Sequence, residues 1–273
     1  LHFYQDSLGG VHAVNRHYFK ALDKEAIRWR VERDGRRVRA GVLRLSLAPQ
    51  GEALLHLSLP RMRKAGTYRL LLEGAGGAAC LPLGKVEGKA VFVRGKAPVL
   101  QWEGEVLRVQ GRRFSLCFDR KEGILKEYVA RGKPVIDGSF GIRPVFWRAW
   151  TDNDRGNLSE RRLRKWKEAS QRFDARMEAA VEGSEAVVRI RYALPEGASL
   201  QVDYRVRPDG SVRVEEDFRG APSAVTEIPR IGLRMRFPEG TAKTFSYLGR
   251  GPQENYIDRM SGAFPSIWKS DAA

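Results

Sequence analysis

The sequence predicts an all-β chain made of two successive β-sandwich units. Three observations carry this. Apolar and polar residues alternate in two-residue rhythm over most of the chain, the pattern of strands with one buried face. Turn signals such as Asp34-Gly35, Pro49-Gln50-Gly51 and Pro208-Asp209-Gly210 punctuate the alternation. The 273 residues exceed one average domain, and Gly95-Lys96-Ala97-Pro98 reads as a linker between two.

The first unit spans residues 1–95. Val11, Ile27, Trp29, Val31, Val38, Val42, Leu45, Leu47, Leu55, Leu57, Leu59, Tyr68, Leu70 and Leu72 mark its strands. Asp34-Gly35 reads as a hairpin turn, because both residue types tolerate positive φ. Short strands with frequent turns mean a β-sandwich or barrel, over a length that is the size of an immunoglobulin-like module. Residues 74–79 (Gly-Ala-Gly-Gly-Ala-Ala) lack the Gly-Lys-Ser/Thr ending of a phosphate loop and read as a plain loop.

The second unit spans residues 99–273. Phe114, Leu116 and Phe118 alternate, as do Leu200, Val202, Tyr204 and Val206, and Val187, Val188, Ile190 and Tyr192 mark another strand. Val212 and Val214 return after Pro208-Asp209-Gly210, which makes a hairpin. The wider turn spacing implies a larger sandwich. One stretch departs from β pattern: Leu163, Trp166 and Phe173 recur at helical spacing within 159–173, among Arg161, Arg162, Arg164, Lys165, Lys167 and Arg172. A basic amphipathic helix can bind nucleic acid or acidic lipid. The short apolar face favours a surface helix that packs Trp166 and Phe173 inward.

Composition excludes several classes. With 42% hydrophobic and 10% aromatic residues the chain has enough apolar surface to fold, which excludes disorder. No apolar run reaches the roughly 20 residues of a membrane span, and the start, Leu1-His2-Phe3-Tyr4-Gln5-Asp6, lacks a signal-peptide pattern. It also lacks an initiator Met, the expectation for a fragment or processed product. The net charge of +16 invites an anionic partner. The charge is spread over the chain, with Arg on the solvent side of strands as in Val42-Leu43-Arg44-Leu45-Ser46-Leu47, so a basic surface is expected, with neither nucleic acid nor membrane as partner. Cys80 and Cys117 form no Cys-x-x-Cys, which speaks against zinc or a disulfide framework and for buried free thiols in a reducing compartment, and a cytoplasmic location is expected.

Candidate chemistry concentrates in two motifs. The four histidines, His2, His12, His17 and His56, have no Gly-x-Ser-x-Gly to serve and no carboxylate spaced to orient His12 or His17, so they read as strand-face or solvated residues. Glu215 and Glu216 are adjacent on a strand and face opposite sides, which excludes a shared acid–base role. Asp152 and Asp154 can face one side. They lie in Phe146-Trp147-Arg148-Ala149-Trp150-Thr151-Asp152-Asn153-Asp154-Arg155-Gly156-Asn157, an aromatic and polar loop of the kind that carries function. A calcium loop needs Gly sixth and Glu twelfth, whereas Gly156 is fifth from Asp152 and Leu163 is twelfth. The structural alternative is a turn network in which Asp and Asn side chains satisfy backbone amides. The second motif is Tyr247-Leu248-Gly249-Arg250-Gly251-Pro252-Gln253-Glu254-Asn255-Tyr256-Ile257-Asp258-Arg259, an irregular turn in which Glu254, Asp258 and Arg259 suit an internal polar cluster.

These motifs carry a resemblance. Residues 146–154 resemble the Phe-x-Arg-Ala-Pro-Thr-Asp-Asn-Asp signature of the β-galactosidases of glycoside hydrolase family 2, with Trp150 where the family usually has Pro or Thr. Residues 251–259 are similar to its Gly-Pro-x-Glu-Asn-Tyr-x-Asp-Arg, and Pro229-Arg230-Ile231-Gly232-Leu233 to a segment between them. Tyr18-Phe19, Trp29 with Asp34-Gly35, and Ala48-Pro49-Gln50-Gly51 are similar to the preceding sandwich module. The resemblance implies an immunoglobulin-like sandwich followed by the first part of a galactose-mutarotase-like supersandwich, cut roughly midway.

The family's two catalytic glutamates, its magnesium and its monovalent cation belong to a (β/α)₈ barrel, and this sequence has no such pattern. The resemblance therefore implies no catalytic residue and no cofactor in this chain. It implies a barrel partner on the same or a companion chain, a β-galactoside substrate and a homo-oligomer when intact. Gly156, Asn157, Ser159 and Glu160 are expected near the substrate cleft, and Asp152, Asn153 and Asp154 are expected to shape that loop. Arg148, Glu254, Asn255, Asp258 and Arg259 are expected to be architectural. The rival readings are the small subunit of a split enzyme and a carbohydrate-binding module that uses Trp147 and Trp150 as sugar platforms.

Overall fold

The computed structural model describes residues 1–88, 93–220, 227–241, 244–253, 255–257 and 259–271. Antiparallel strands dominate, as the alternation requires. The chain forms two compact units, Leu1–Val91 with Ala242–Ala273, and Phe92–Thr241. The sequence boundaries of 1–95 and 99–273 differ from this grouping chiefly in the last thirty or so residues, which pack on the first unit.

The first unit holds a three-stranded sheet of β1 (His2–Gln5), β2 (Val11–Val14) and β5 (Glu52–Leu54). Its four-stranded sheet has the order β4 (Arg36–Leu47), β3 (Leu22–Arg33), β6 (Gly66–Gly74), β7 (Gly77–Val86). Phe3, Val11, Ile27, Val31, Leu70 and Leu72 join in one core, each from the inward positions of its strand. The expected hairpin is present: Arg33 pairs with Arg36 across Asp34 (φ 48°) and Gly35 (φ 73°). The Asp34 carboxylate accepts from the Thr67 N–H at 2.9 Å and so ties this turn to β6. The expected loop at 74–79 is instead a two-residue turn. Gly74 pairs with Gly77 across Ala75 and Gly76, both at positive φ, so β6 and β7 run on through the soft segment. The hairpin β19 (Thr244–Gly251) and β20 (Phe264–Asp271) completes this unit, and Ser266 Oγ donates to the buried Glu32 at 2.9 Å.

The second unit has a five-stranded sheet, in the order β12 (Lys133–Pro134), β11 (Ile124–Ala130), β10 (Phe114–Asp119), β9 (Val106–Gln110), β8 (Val99–Glu103). A four-stranded sheet runs β14 (Asp174–Glu182), β15 (Glu185–Ala193), β16 (Ser199–Val206), β17 (Val212–Arg219), and β13 (Arg143–Pro144) pairs with β18 (Leu233–Arg234). Leu200, Val202, Tyr204 and Val206 are all buried while their neighbours in β16 are half-exposed, as period two demands. Leu107, Leu116, Phe118, Phe146, Trp166 and Ile190 share their core.

The predicted helix over 159–173 is broken. Three short helices appear, α1 (Asp152–Gly156), α2 (Ser159–Arg162) and α3 (Arg164–Ala169). Leu158 takes φ 53° between the first two, and Leu163 takes φ −106° between the last two. Leu163 and Trp166 are buried as expected, on the one face that their three-residue spacing gives them; Phe173 lies beyond α3 and is half-buried. Cys117 is buried in β10 and Cys80 half-buried in β7; both are free, and burial raises each thiol pKa.

Candidate functional site

The first motif is organised around Asp154. Thr151 stands at the start of α1 in extended conformation, and the Asp154 N–H donates to its hydroxyl at 3.3 Å. Asp154 Oδ2 accepts in return from the Thr151 N–H and from its hydroxyl, each at 3.0 Å. This is a reciprocal capping box, with Asp in place of the usual Glu. Arg148 Nη2 donates to Asp154 Oδ1 at 2.9 Å and lies 2.8 Å from Oδ2. The Thr151 N–H holds the Asp154 carboxyl below the usual carboxylate range; partial burial opposes this, while the Thr151 hydroxyl and Arg148 reinforce it.

Asp152 and Asp154 therefore do not form a paired acid–base site. They sit on a helical turn, not a strand. Asp154 spends its oxygens on the cap and Arg148, and Asp152 is 98% exposed with Arg155 Nη1 at 3.3 Å. The turn-network reading holds at Asp154, whose side chain accepts from the Thr151 N–H; Asn153 takes part through its backbone carbonyl, which accepts from the Asn157 N–H at 3.0 Å. Gly156 is exposed, and a side chain there would meet open space. Ser159 is buried, with Arg162 Nη2 at 3.4 Å from its hydroxyl, so it supports the loop from below. Glu160 is exposed, 3.7 Å from Lys167 Nζ. It lines an open depression of about 700 Å³ with Arg155, Leu158, Arg161, Arg164 and Lys167. Trp147 and Trp150 meet edge to face at 4.4 Å and are half-buried against the core, with Lys167 over the first ring and Arg148 over the second.

The second motif closes the β19–β20 hairpin. Arg250, which the sequence reading passed over, donates from Nη1 to Ala263 O at 2.9 Å and to Met260 O at 3.3 Å. The Trp268 indole N–H donates to both Gly249 O and Phe264 O at 3.1 Å. The Gly251-Pro252 peptide is cis. Asn255 is exposed, and the Arg259 N–H donates to Tyr256 O at 2.8 Å. Glu254 and Asp258 lie outside the described residues, so the expected cluster is seen only through Asn255 and Arg259.

One expectation about histidine is overturned. His12 Nε2 lies 2.8 Å from Asp6 Oδ2, and Nδ1 lies 2.7 Å from Glu52 Oε1. Asp6 reaches back across the β1–β2 turn, and Glu52 comes from β5, a pairing no local spacing reveals. Glu215 and Glu216 face opposite sides of β17 as expected, Glu215 paired with Arg205 and Arg213. Among the described residues no three His, Cys, Asp or Glu side chains gather to hold a metal ion. Among the described residues no helix is long and apolar enough to cross a membrane.

The fold thus defines a class, two antiparallel β units with a capped, aromatic-flanked loop on the second. Comparison of the sequence makes this specific. Residues 11–75 match the family described as "Beta-galactosidase, domain 4", and residues 110–273 match "Beta galactosidase small chain". The chain belongs to the β-galactosidase small-chain family. It is 31% identical to the β-galactosidase of Priestia megaterium over 97% of its own length and 27% of that protein. It is 27% identical to that of Clostridium acetobutylicum over 96% of its own length and 30% of that protein. With the Vibrio cholerae enzyme it shares 29% identity over 61% of its own length. The chain spans less than a third of these relatives.

Proposed function

We propose that this chain is the sandwich region of a cytoplasmic β-galactosidase, an enzyme that hydrolyses terminal non-reducing β-D-galactose residues in β-galactosides with retention, through a galactosyl-enzyme intermediate. The observation that carries the reading is the order of the two matches, domain 4 followed by small chain, over nearly the whole sequence. In this reading the chain supports a catalytic barrel, carried on the same or a companion polypeptide, and helps close its galactose pocket. The two glutamates, the magnesium and the monovalent cation all belong to that barrel, and the intact enzyme is a homo-oligomer.

The loop at 152–160 has the build such a role needs. Its entrance is pinned by Arg148, Thr151 and Asp154, whereas Gly156, Asn157 and Glu160 are exposed to a substrate or a neighbouring domain. Ser159 would act from beneath, as a support. The carbohydrate-module reading is the weaker one, because Trp147 and Trp150 pack on each other and on the core instead of offering open faces.

The deciding experiment is hydrolysis of an aryl-β-galactoside by the purified chain, alone and mixed with a separately produced barrel-bearing chain. Activity is expected only in the mixture. Turnover by the chain alone would defeat the assignment of catalysis to the barrel, and inactivity of a folded mixture would defeat the supporting role.

A further inference from the structure

We propose that His12 is the keystone of a pH-sensitive latch on the three-stranded sheet of the first unit, joining the Asp6 carboxylate of the β1–β2 turn to the Glu52 carboxylate of β5. The geometry carries this. Each imidazole nitrogen faces a carboxylate oxygen, Nε2 at 2.8 Å from Asp6 and Nδ1 at 2.7 Å from Glu52. A neutral imidazole has a single N–H, so one of the two carboxylates would then face a lone pair. Only the imidazolium presents a proton to both. The Asp6 contact is an aligned hydrogen bond, while the Glu52 contact is a charge contact outside hydrogen-bond alignment.

The carboxylates are held in place by other bonds. Asp6 Oδ1 accepts from the Leu8 N–H at 2.9 Å and the Gly10 N–H at 2.7 Å, which forms the turn and leaves Oδ2 for His12. Tyr4, opposite His12 on β1, stacks on its ring at 4.9 Å and donates its hydroxyl to Glu52 Oε1 at 2.5 Å. His2 stacks on Tyr4 in turn, with Arg16 and the N-terminal amine near it. The groups that face His12 are thus Tyr4 from β1, Asp6 from the turn and Glu52 from β5; its direct partner on β5, Leu54, is apolar.

The pH window follows. The Asp6 hydrogen bond raises the His12 pKa, against some desolvation and with help from Glu52, so its contribution is complete below about 6.5 and is lost as pH rises through the folded-state value. The same bond lowers Asp6, whose contribution is present above about 3.9 and lost as pH falls through its own folded value. The latch is shut in the band between the two.

Proton-detected NMR of the isotopically labelled full chain tests it. The His12 ring is expected to titrate above about 6.5, and the Leu8 and Gly10 amide shifts to follow the same inflection. Amide protection in β1, β2 and β5, corrected for intrinsic exchange, is expected to fall through that midpoint. In H12Q the inflection and the pH-dependent loss should both disappear, and D6N should lower the His12 midpoint. A midpoint at or below the free-histidine value, or turn amides and protection that ignore it, overturns the proposal. The wild-type titration decides the matter even if H12Q does not fold.

Discussion

Arg148 and Asp154 meet through two contacts of 2.9 and 2.8 Å, and the same carboxylate caps α1 through Thr151. A single side chain thereby fixes both the start of a helix and its attachment to the strand-side segment before it. Thr151→Ala removes the cap and should cost about 0.5–2 kcal/mol of local helix stability. Faster amide exchange over 152–157, with little change in global unfolding, would show it. The Asp154 carboxyl sits below its usual pKa, so its contribution is present above about 3.9 and is lost as pH falls through the folded value. Exchange over 152–157 should therefore rise on acidification in the wild type, and less so in Asp154→Asn.

Two buried tyrosines should respond oppositely to loss of their hydroxyls. Tyr192 donates to Gly123 O at 2.5 Å inside the core, and Tyr192→Phe leaves that carbonyl unpaired, at a cost of about 1–3 kcal/mol. The Tyr204 hydroxyl is equally buried, with no partner among the described residues, and desolvation drives its pKa far up. Tyr204→Phe should be neutral or stabilising. Denaturant midpoints of the two variants make the comparison, and equal losses would contradict it.

Gly251 is required by packing. A Cβ there would strike the Tyr247 hydroxyl and come within 2.8 Å of the Trp268 ring. Gly251→Ala should destabilise the β19–β20 hairpin by about 1–3 kcal/mol, read as increased protease cleavage near residues 244–271.

Trp166 and Phe173 were both expected to pack inward, yet only Trp166 is wholly buried. Trp166→Ala should cost about 3–5 kcal/mol, toward the full value for emptying a core site. Phe173→Ala should cost clearly less, because its site is open on one side. Chemical unfolding of the two variants checks the ranking.

What was legible in the sequence was what neighbouring residues decide together. Leu200, Val202, Tyr204 and Val206 share one face because strands alternate, and Asp34-Gly35 turns because both accept positive φ. The Asx-type network at 151–157 was legible for the same reason, since a cap bonds residues three apart. The two-residue turn inside 74–79 was missed because a glycine-rich segment hides its pairing register. The breaks at Leu158 and Leu163 were missed because three-residue spacing marks a shared face and not the backbone conformation between turns.

By itself the sequence determined the all-β class, the main strand faces and turns, and membership in the β-galactosidase family, all of which rest on local periodicity or on motifs read in order. Only the tertiary structure decided that His12 stands between Asp6 and Glu52 and that Arg250 closes the last hairpin. The physical reason is common to both. The energy of a charge depends on which partners the fold brings within about 3 Å, and those partners come from other turns and strands, whose approach is set by the packing of the apolar faces.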